Sequence, residues 1–184
     1  KFISLSGLSG ILAGIYALIG ACYYYFIILD SFKNSLVLDK DLIFQITIII
    51  LSVGFASTIT TIFFTTKRTQ ITDEKAWSIT SKNLITSFLT TLSVGLILIL
   101  ILYLKEDYKY TIALLFLFYG LALINAAKYT NNIVKPLGVI EIIFGFFCAI
   151  KPNYSFWFWV LGFGLTHLLY GSVIYFKYDK KTKK

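Results

Sequence analysis

Six stretches of this chain are long enough to cross a lipid bilayer and hold very few charges, and that spacing limits the fold more than any other feature. A hydrocarbon core about 30 Å thick takes roughly 20 apolar residues at 1.5 Å each. Runs of about that size occupy residues 2–29, 42–66, 84–104, 110–127, 133–150 and 155–176. They are continuous rather than alternating in period two, so they predict helices and not the strands of an outer-membrane barrel. Composition agrees: 58% of residues are hydrophobic, 14% are charged and the mean hydropathy is +0.79. Those values exclude a disordered tail, a collagen-like chain and a disulfide-stapled secreted domain. The expected fold is therefore all-α, a polytopic membrane protein built as a six-helix bundle, and one integral-membrane domain over residues 1–184.

The first run follows a single Lys1, is too long for a signal-peptide core and has no small-residue cleavage pattern before Asp30. It is expected to remain as a mature helix, with a few residues missing upstream because no initiator Met is present. Orientation follows from the basic residues, since positively charged loops stay cytoplasmic. Six crossings put both ends on one side, together with Lys67, Arg68, Lys75, Lys82, Lys128, Lys135, Lys177 and the lysines of the 178–184 tail. The opposite loops hold Lys33, Lys40, Lys105, Lys109 and Lys151, balanced by Asp30, Asp39, Asp41, Glu106 and Asp107. Both termini are expected in the cytoplasm. The net charge of +8 is then a topology signal plus a basic tail, for which anionic lipid headgroups are the expected partner and nucleic acid is not. Trp157 and Trp159, and Trp77 on the inner side, are expected in an aromatic belt, with residues 73–82 as a short interfacial helix.

All twelve glycines fall inside the apolar runs, the reverse of soluble-protein usage. In hydrocarbon, helices associate by close van der Waals approach, so small residues mark contact faces. Ser6, Gly10 and Gly14 give the first helix such a face. The second and third helices share Leu-Ser-Val-Gly, ending at Gly54 and Gly95, which an antiparallel pair would place at one depth. Gly138, Glu141 and Gly145 repeat the spacing of Gly164, His167 and Gly171, each trio along one helix face. In an antiparallel hairpin the pairs Gly138–Gly171, Glu141–His167 and Gly145–Gly164 fall in one register, so two glycine faces are expected to pack together around the carboxyl and the imidazole.

Glu141 and His167 are the acidic residue and the histidine of these runs, and a charge near the bilayer centre costs at least about 2.5 kcal/mol on insertion scales. One reading is a proton-handling pair, or an acid and base facing a lipid or small solute; the other is interhelical glue worth about 1 kcal/mol. Both stay open. The nearest continuations of a relay are Tyr119, Asn125, Lys135 and Tyr170, and Tyr119 and Gly120 reach the depth of Glu141 if helices 4 and 5 pair. No metal or haem spacing is present, so no cofactor is expected. Cys22 and Cys148 are expected as buried, reduced thiols. No nucleophile elbow, phosphate loop or paired-carboxylate motif occurs. Tyr23, Tyr24 and Tyr25 suit interface anchors, and the threonines of residues 58–66 can bond back to their own helix.

The strings Phe-Tyr-Gly-Leu-Ala-Leu-Ile-Asn at 118–125, Lys-Tyr-Thr at 128–130 and Leu-Gly-Phe-Gly-Leu-Thr-His-Leu-Leu-Tyr-Gly at 161–171 resemble a family of small six-helix membrane proteins from Bacteroidetes. The resemblance covers about a third of the chain. The glycine-spaced hairpins also look like the HdeD-like membrane proteins linked to acid stress, a likeness of architecture alone. Together these imply a multi-pass protein of a bacterial cytoplasmic membrane. The expected function is non-enzymatic, the binding of a lipid or small apolar molecule or a stress-related role. A proton-coupled carrier or oligomeric channel using Glu141 and His167, and an intramembrane lipid-modifying enzyme, are the alternatives. A homo-oligomer is compatible with all three.

Overall fold

The computed structural model describes residues 6–34, 40–72, 77–130 and 133–180, and among them the regular structure is six helices. These are α1 (Gly7–Asn34), α2 (Lys40–Thr72), α3 (Ile79–Leu104), α4 (Thr111–Ala126), α5 (Val134–Ile150) and α6 (residues 155–179). Four stretches are long and apolar enough to cross a membrane: Gly7–Phe26, Asp41–Gln70, Ile79–Leu104 and Pro152–Lys177. At 16 and 17 residues, α4 and α5 reach only about 24–26 Å.

The observed ends differ from the expected ones, because a charged side chain ends an apolar run but does not end a helix. α2 runs on through Lys67 and Arg68 to Thr72, and α3 begins at Ile79 rather than at residue 84. Of the two basic residues, Lys67 is exposed and Arg68 is buried. Ser78 caps α3: its hydroxyl accepts from Ser81 N–H at 3.1 Å, and Ser81 Oγ donates back to Ser78 O at 2.9 Å. Of the interfacial helix expected over 73–82, residues 73–76 lie outside the described residues and 79–82 form the first turn of α3. Trp77 and Ile79 stand exposed beside that cap. Lys1, Lys181, Lys183 and Lys184, and with them most of the basic tail, also lie outside the described residues.

α3 stops by a turn in which Glu106 takes the left-handed backbone, φ 58°. Glu106 N–H donates to Tyr103 O and Asp107 N–H to Leu102 O, both at 3.0 Å, which satisfies the last carbonyls in a Schellman closure. The next turn is tight as well. Pro152–Tyr154 forms a single 3₁₀ turn between α5 and α6, held by Ser155 Oγ donating to Pro152 O at 2.6 Å. α6 changes width along its length, with α turns at Ser155–Trp159 and His167–Ile174 and wider π turns at Val160–Thr166 and Tyr175–Asp179.

The helices gather into two compact units, residues 65–162 and residues 6–64 with 163–184. In the first, α4 is the centre and shows different faces to its neighbours. Leu117, Gly120 and Ile124 lie against Gly145, Ile142 and Gly138 of α5, pairs whose numbers add to one constant, as an antiparallel hairpin requires. A Cβ on Gly138 would stand 2.7 Å from Gly120 O, so neither glycine has room for a side chain. On another face, Phe118 fills the notch at Gly95 of α3.

In the second unit, α1 packs on the distal half of α6. Gly7, Gly10 and Gly14 meet Gly171, Tyr175, Gly164 and Leu168, with the Cβ position of Gly14 2.7 Å from Gly164 O. The closest atoms to Gly138 and Gly145 thus belong to α4, and those to Gly164 and Gly171 to α1. That corrects the expectation that these glycine faces take each other. Within its own unit, Gly95 of α3 is filled by Phe118.

The end of α6 also closes the start of α1. Asp179 Oδ2 accepts from Gly7 N–H at 2.9 Å and from Ser6 Oγ at 3.3 Å, supplying an anionic N-cap from 172 residues away. Large apolar side chains make up much of the exposed surface of α2 and α3, with Leu51, Phe55, Ile59, Ile97, Leu100 and Leu104 all outside. Such helices are long and apolar enough to cross a membrane. Thr47, Thr58 and Thr60 of α2 donate to Ile43 O, Gly54 O and Ala56 O of their own helix.

Two outcomes follow for stability, read as the thermal unfolding midpoint in mild detergent by circular dichroism. Gly171→Ala drives a methyl into Ile11 N and Gly10 C and is expected to cost about 1–3 kcal/mol, whereas Gly54→Ala gains up to about 1 kcal/mol from helix propensity. Asp179→Ala is expected to cost about 1 kcal/mol by removing the cap, with Asp179→Asn retaining most of it.

Candidate functional site

α5 turns one stripe inward: Val134, Leu137, Gly138, Glu141, Gly145 and Cys148 are buried at three- and four-residue spacing. Glu141 stands in the middle of it with no exposure at all, between the two glycines that let α4 close in. The carboxyl lies against α6 at Gly162. A Cβ built there would be 3.1 Å from Glu141 Oε2 and 2.8 Å from Phe116 Cζ, so the carboxyl oxygen and the Phe116 ring share one point of contact on the α6 backbone. Phe116 is itself completely buried. Gly162 is part of the wide π segment of α6, a helix distortion that recurs at functional sites.

Aromatic rings continue from this point. Phe116 and Phe144 have centroids 6.1 Å apart, Phe144 and Phe158 6.1 Å, and Phe158 and Phe147 6.2 Å, the last pair nearly parallel at 14°. Further along α5, Cys148 Sγ donates to Ser155 Oγ at 3.2 Å. Both cysteines are free, but Cys22 is exposed, which corrects the expectation of two buried thiols. Trp159 is buried at 9% exposure and so does not serve in an aromatic belt, whereas Trp157 is exposed.

The expected relay residues divide. Asn125 Nδ2 donates to Thr91 Oγ1 at 3.2 Å and to Ser87 O at 3.4 Å, and Thr91 Oγ1 donates to Ser87 O at 3.1 Å, a polar clamp between α3 and α4. The Tyr119 ring stands edge-on to Phe88 of α3 at 6.0 Å. Both therefore serve the α3 side of α4, away from the face that meets α5. Lys128 and Lys135 are exposed. His167 is buried in the other unit, its ring 5.9 Å from that of Phe163 and its carbonyl 3.7 Å from the Cβ position of Gly10; Tyr170 is half-buried nearby on α6. Among the described residues no group of three His, Cys, Asp or Glu side chains is placed to hold a metal ion.

Sequence reasoning missed Gly162 and Phe116. A signal for Gly162 existed, because Leu161-Gly162-Phe163-Gly164 puts two glycines on opposite sides of one helix. Gly164 meets Leu18 of α1, and Gly162 seats the carboxyl and the ring. Nothing distinguishes Phe116 among the seventeen phenylalanines before α4 is placed.

Chemically, the arrangement is an ionisable oxygen pair held out of water against aromatic carbon and a bare stretch of backbone. Gly162→Ala is expected to lower stability by about 1–3 kcal/mol, and adding Phe116→Leu, which removes ring atoms from the same spot, is expected to recover part of that loss. Unfolding midpoints of the wild type, both single variants and the double variant measure the coupling.

Comparison of the chain with protein-family models, with curated proteins and with solved structures found no match.

Proposed function

We propose that this chain is a non-enzymatic, multi-pass protein of a bacterial cytoplasmic membrane that handles a small lipophilic molecule and binds and releases a proton at Glu141 as it does so. In this reading all six helices cross, α4 and α5 completing their spans with flanking residues, and both ends face the cytoplasm, where most of the basic residues lie. The observation that carries the proposal is the seat of Glu141. A carboxyl is kept entirely out of solvent inside an apolar helix and pressed against a helix whose turns widen at that point. Intramembrane ionisable groups and π turns each mark functional positions, and here the two coincide. A purely structural role would require only that the carboxyl be tied down, which gives no reason for the wide turn beside it.

Infrared difference spectroscopy of the purified protein across a pH titration tests this. A carboxylic C=O band that appears and disappears reversibly while helix content is constant, and that is absent in Glu141→Gln, is the expected result. A Glu141 band that changes only as the helices unfold would assign the residue to structure and overturn the reading.

A further inference from the structure

We infer that an anionic phospholipid binds one face of the α4–α5 pair, with its phosphate between Lys128 and Lys135 and an acyl chain over Leu121 and Val139. The inference rests on the bilayer-spanning part of the reading above and not on Glu141, which lies along the opposite edge of α5.

The face follows from which residues are already engaged. On α4, Leu117, Gly120 and Ile124 meet α5, and Phe118 and Asn125 meet α3. At about 100° per residue, Leu121 and Lys128, two turns apart, fall on one line between those two sets. On α5, Gly138, Ile142 and Gly145 meet α4. Lys135, Val139 and Phe146 form a line along one edge of that contact, while Val134, Glu141 and Cys148 run along the other. In an antiparallel pair, turning the same way from each contact line leads to the same side. The line of Leu121 and Lys128 therefore shares one face with that of Lys135, Val139 and Phe146. The face is open: Leu121 is 44% exposed, Val139 43% and Phe146 59%, and both lysines are exposed.

The two lysines stand at one depth. The register that sets Gly120 against Ile142 and Ile124 against Gly138, carried past the end of α4, sets Lys128 opposite Val134 and so one residue from Lys135. Packed helix axes lie about 8–10 Å apart, and lysine stems are long and flexible, so both ammonium groups reach a single phosphate. Left alone they repel, since a screening length of about 8 Å at physiological salt does not hide charges this near. Residues 77–104 and 111–140 contain no aspartate or glutamate, so α3, α4 and the first turns of α5 bring no carboxylate to this end.

Charge and apolar surface together select the ligand. A free phosphate or a nucleotide uses the lysines and leaves Leu121, Val139 and Phe146 bare. A zwitterionic lipid brings its own cationic group to the same place, which the two lysines repel. An anionic phospholipid meets both features: its headgroup is drawn to juxtamembrane lysines, and its chain then follows the exposed apolar line that begins beneath them. The opposite end of the same helices is different, because Lys105, Lys109 and Lys151 there share their loops with Glu106 and Asp107. The lipid therefore belongs to the Lys128 end.

The test is native mass spectrometry of the full chain released from nanodiscs and titrated with phosphatidylglycerol or with phosphatidylcholine of the same chain length. The expected result is one saturable phosphatidylglycerol, held at least about tenfold more tightly than phosphatidylcholine. Lys128→Gln and Lys135→Gln, both at exposed positions, are each expected to weaken it about fivefold, and Lys105→Gln and Lys109→Gln not at all. Leu121→Trp, which fills the face beneath intact lysines, is expected to weaken it several-fold. Equal affinity for the two lipids, or equal loss from the Lys105 and Lys109 variants, would show unspecific adhesion and overturn the inference. Displacement of the lipid by millimolar inorganic phosphate, or unchanged binding by Leu121→Trp, would reduce the site to two surface charges and overturn the lipid as its occupant. Glu141→Gln is expected to keep the lipid, and its loss there would overturn the assignment to this face. A chain that fails to enter nanodiscs would overturn this inference and the membrane reading together.

Discussion

Contact between helix backbones is the interaction on which this structure depends. Lipid is as apolar as leucine, so burying apolar side chains gives α4 little reason to prefer α5 to the bilayer. What separates the two choices is how closely the backbones can approach. Gly120 and Gly138 press against each other's carbonyl groups, and Gly7, Gly10 and Gly171 bring α1 and α6 to the same kind of contact. Dispersion forces fall steeply with distance, so a helix face without side chains gains contacts along its whole length that no lipid chain matches. Glu141 depends on the same geometry. It can sit in the middle of α5 because Gly138 and Gly145 on either side let α4 close over the stripe, and because Gly162 leaves a place for the carboxyl on α6.

Much of this was legible in the residues. The apolar runs located all six helices, and the three- and four-residue spacing of Gly138, Glu141 and Gly145 identified the buried face of α5. The helix ends were harder, since a run is cut at its first charge while a helix is not, and Lys67 and Arg68 continue α2 without a break. The partner of each glycine face was not legible. Spacing states which side of a helix is smooth, but a constant register relates any two neighbouring antiparallel helices, so Gly138 fits a helix on either side of it in sequence. α4, with one glycine, looked the poorer match, yet Gly120 with Leu117 and Ile124 is what α5 meets. Asn125 misled for a similar reason: its amide is polar and deep, but it serves the α3 clamp at Thr91 and Ser87.

The contrast between α4 and α2 shows how unevenly the work of packing is shared. Ala113, Phe116, Ala122 and Leu123 of α4 are buried, while large side chains of α2 from Phe44 to Phe63 stand exposed. The threonines of α2 bond to their own backbone and so add no demand for a partner. α2 therefore has what a helix needs to lie stably in lipid, and α4 and α5, which are shorter, have what a helix needs to be enclosed by others.

The carboxylate of Asp179 at the amino end of α1 has a bearing on how the molecule is made. Within this chain α1 is synthesised long before α6, so the Asp179 carboxylate that meets the first amide of α1 arrives only with the last helix. The contact joins residues as far apart in sequence as almost any in the chain, and such contacts form late. The packing of α1 on α6 thus joins the two ends of the chain, and the glycine face of α1 stays without that partner until the last helix has been made.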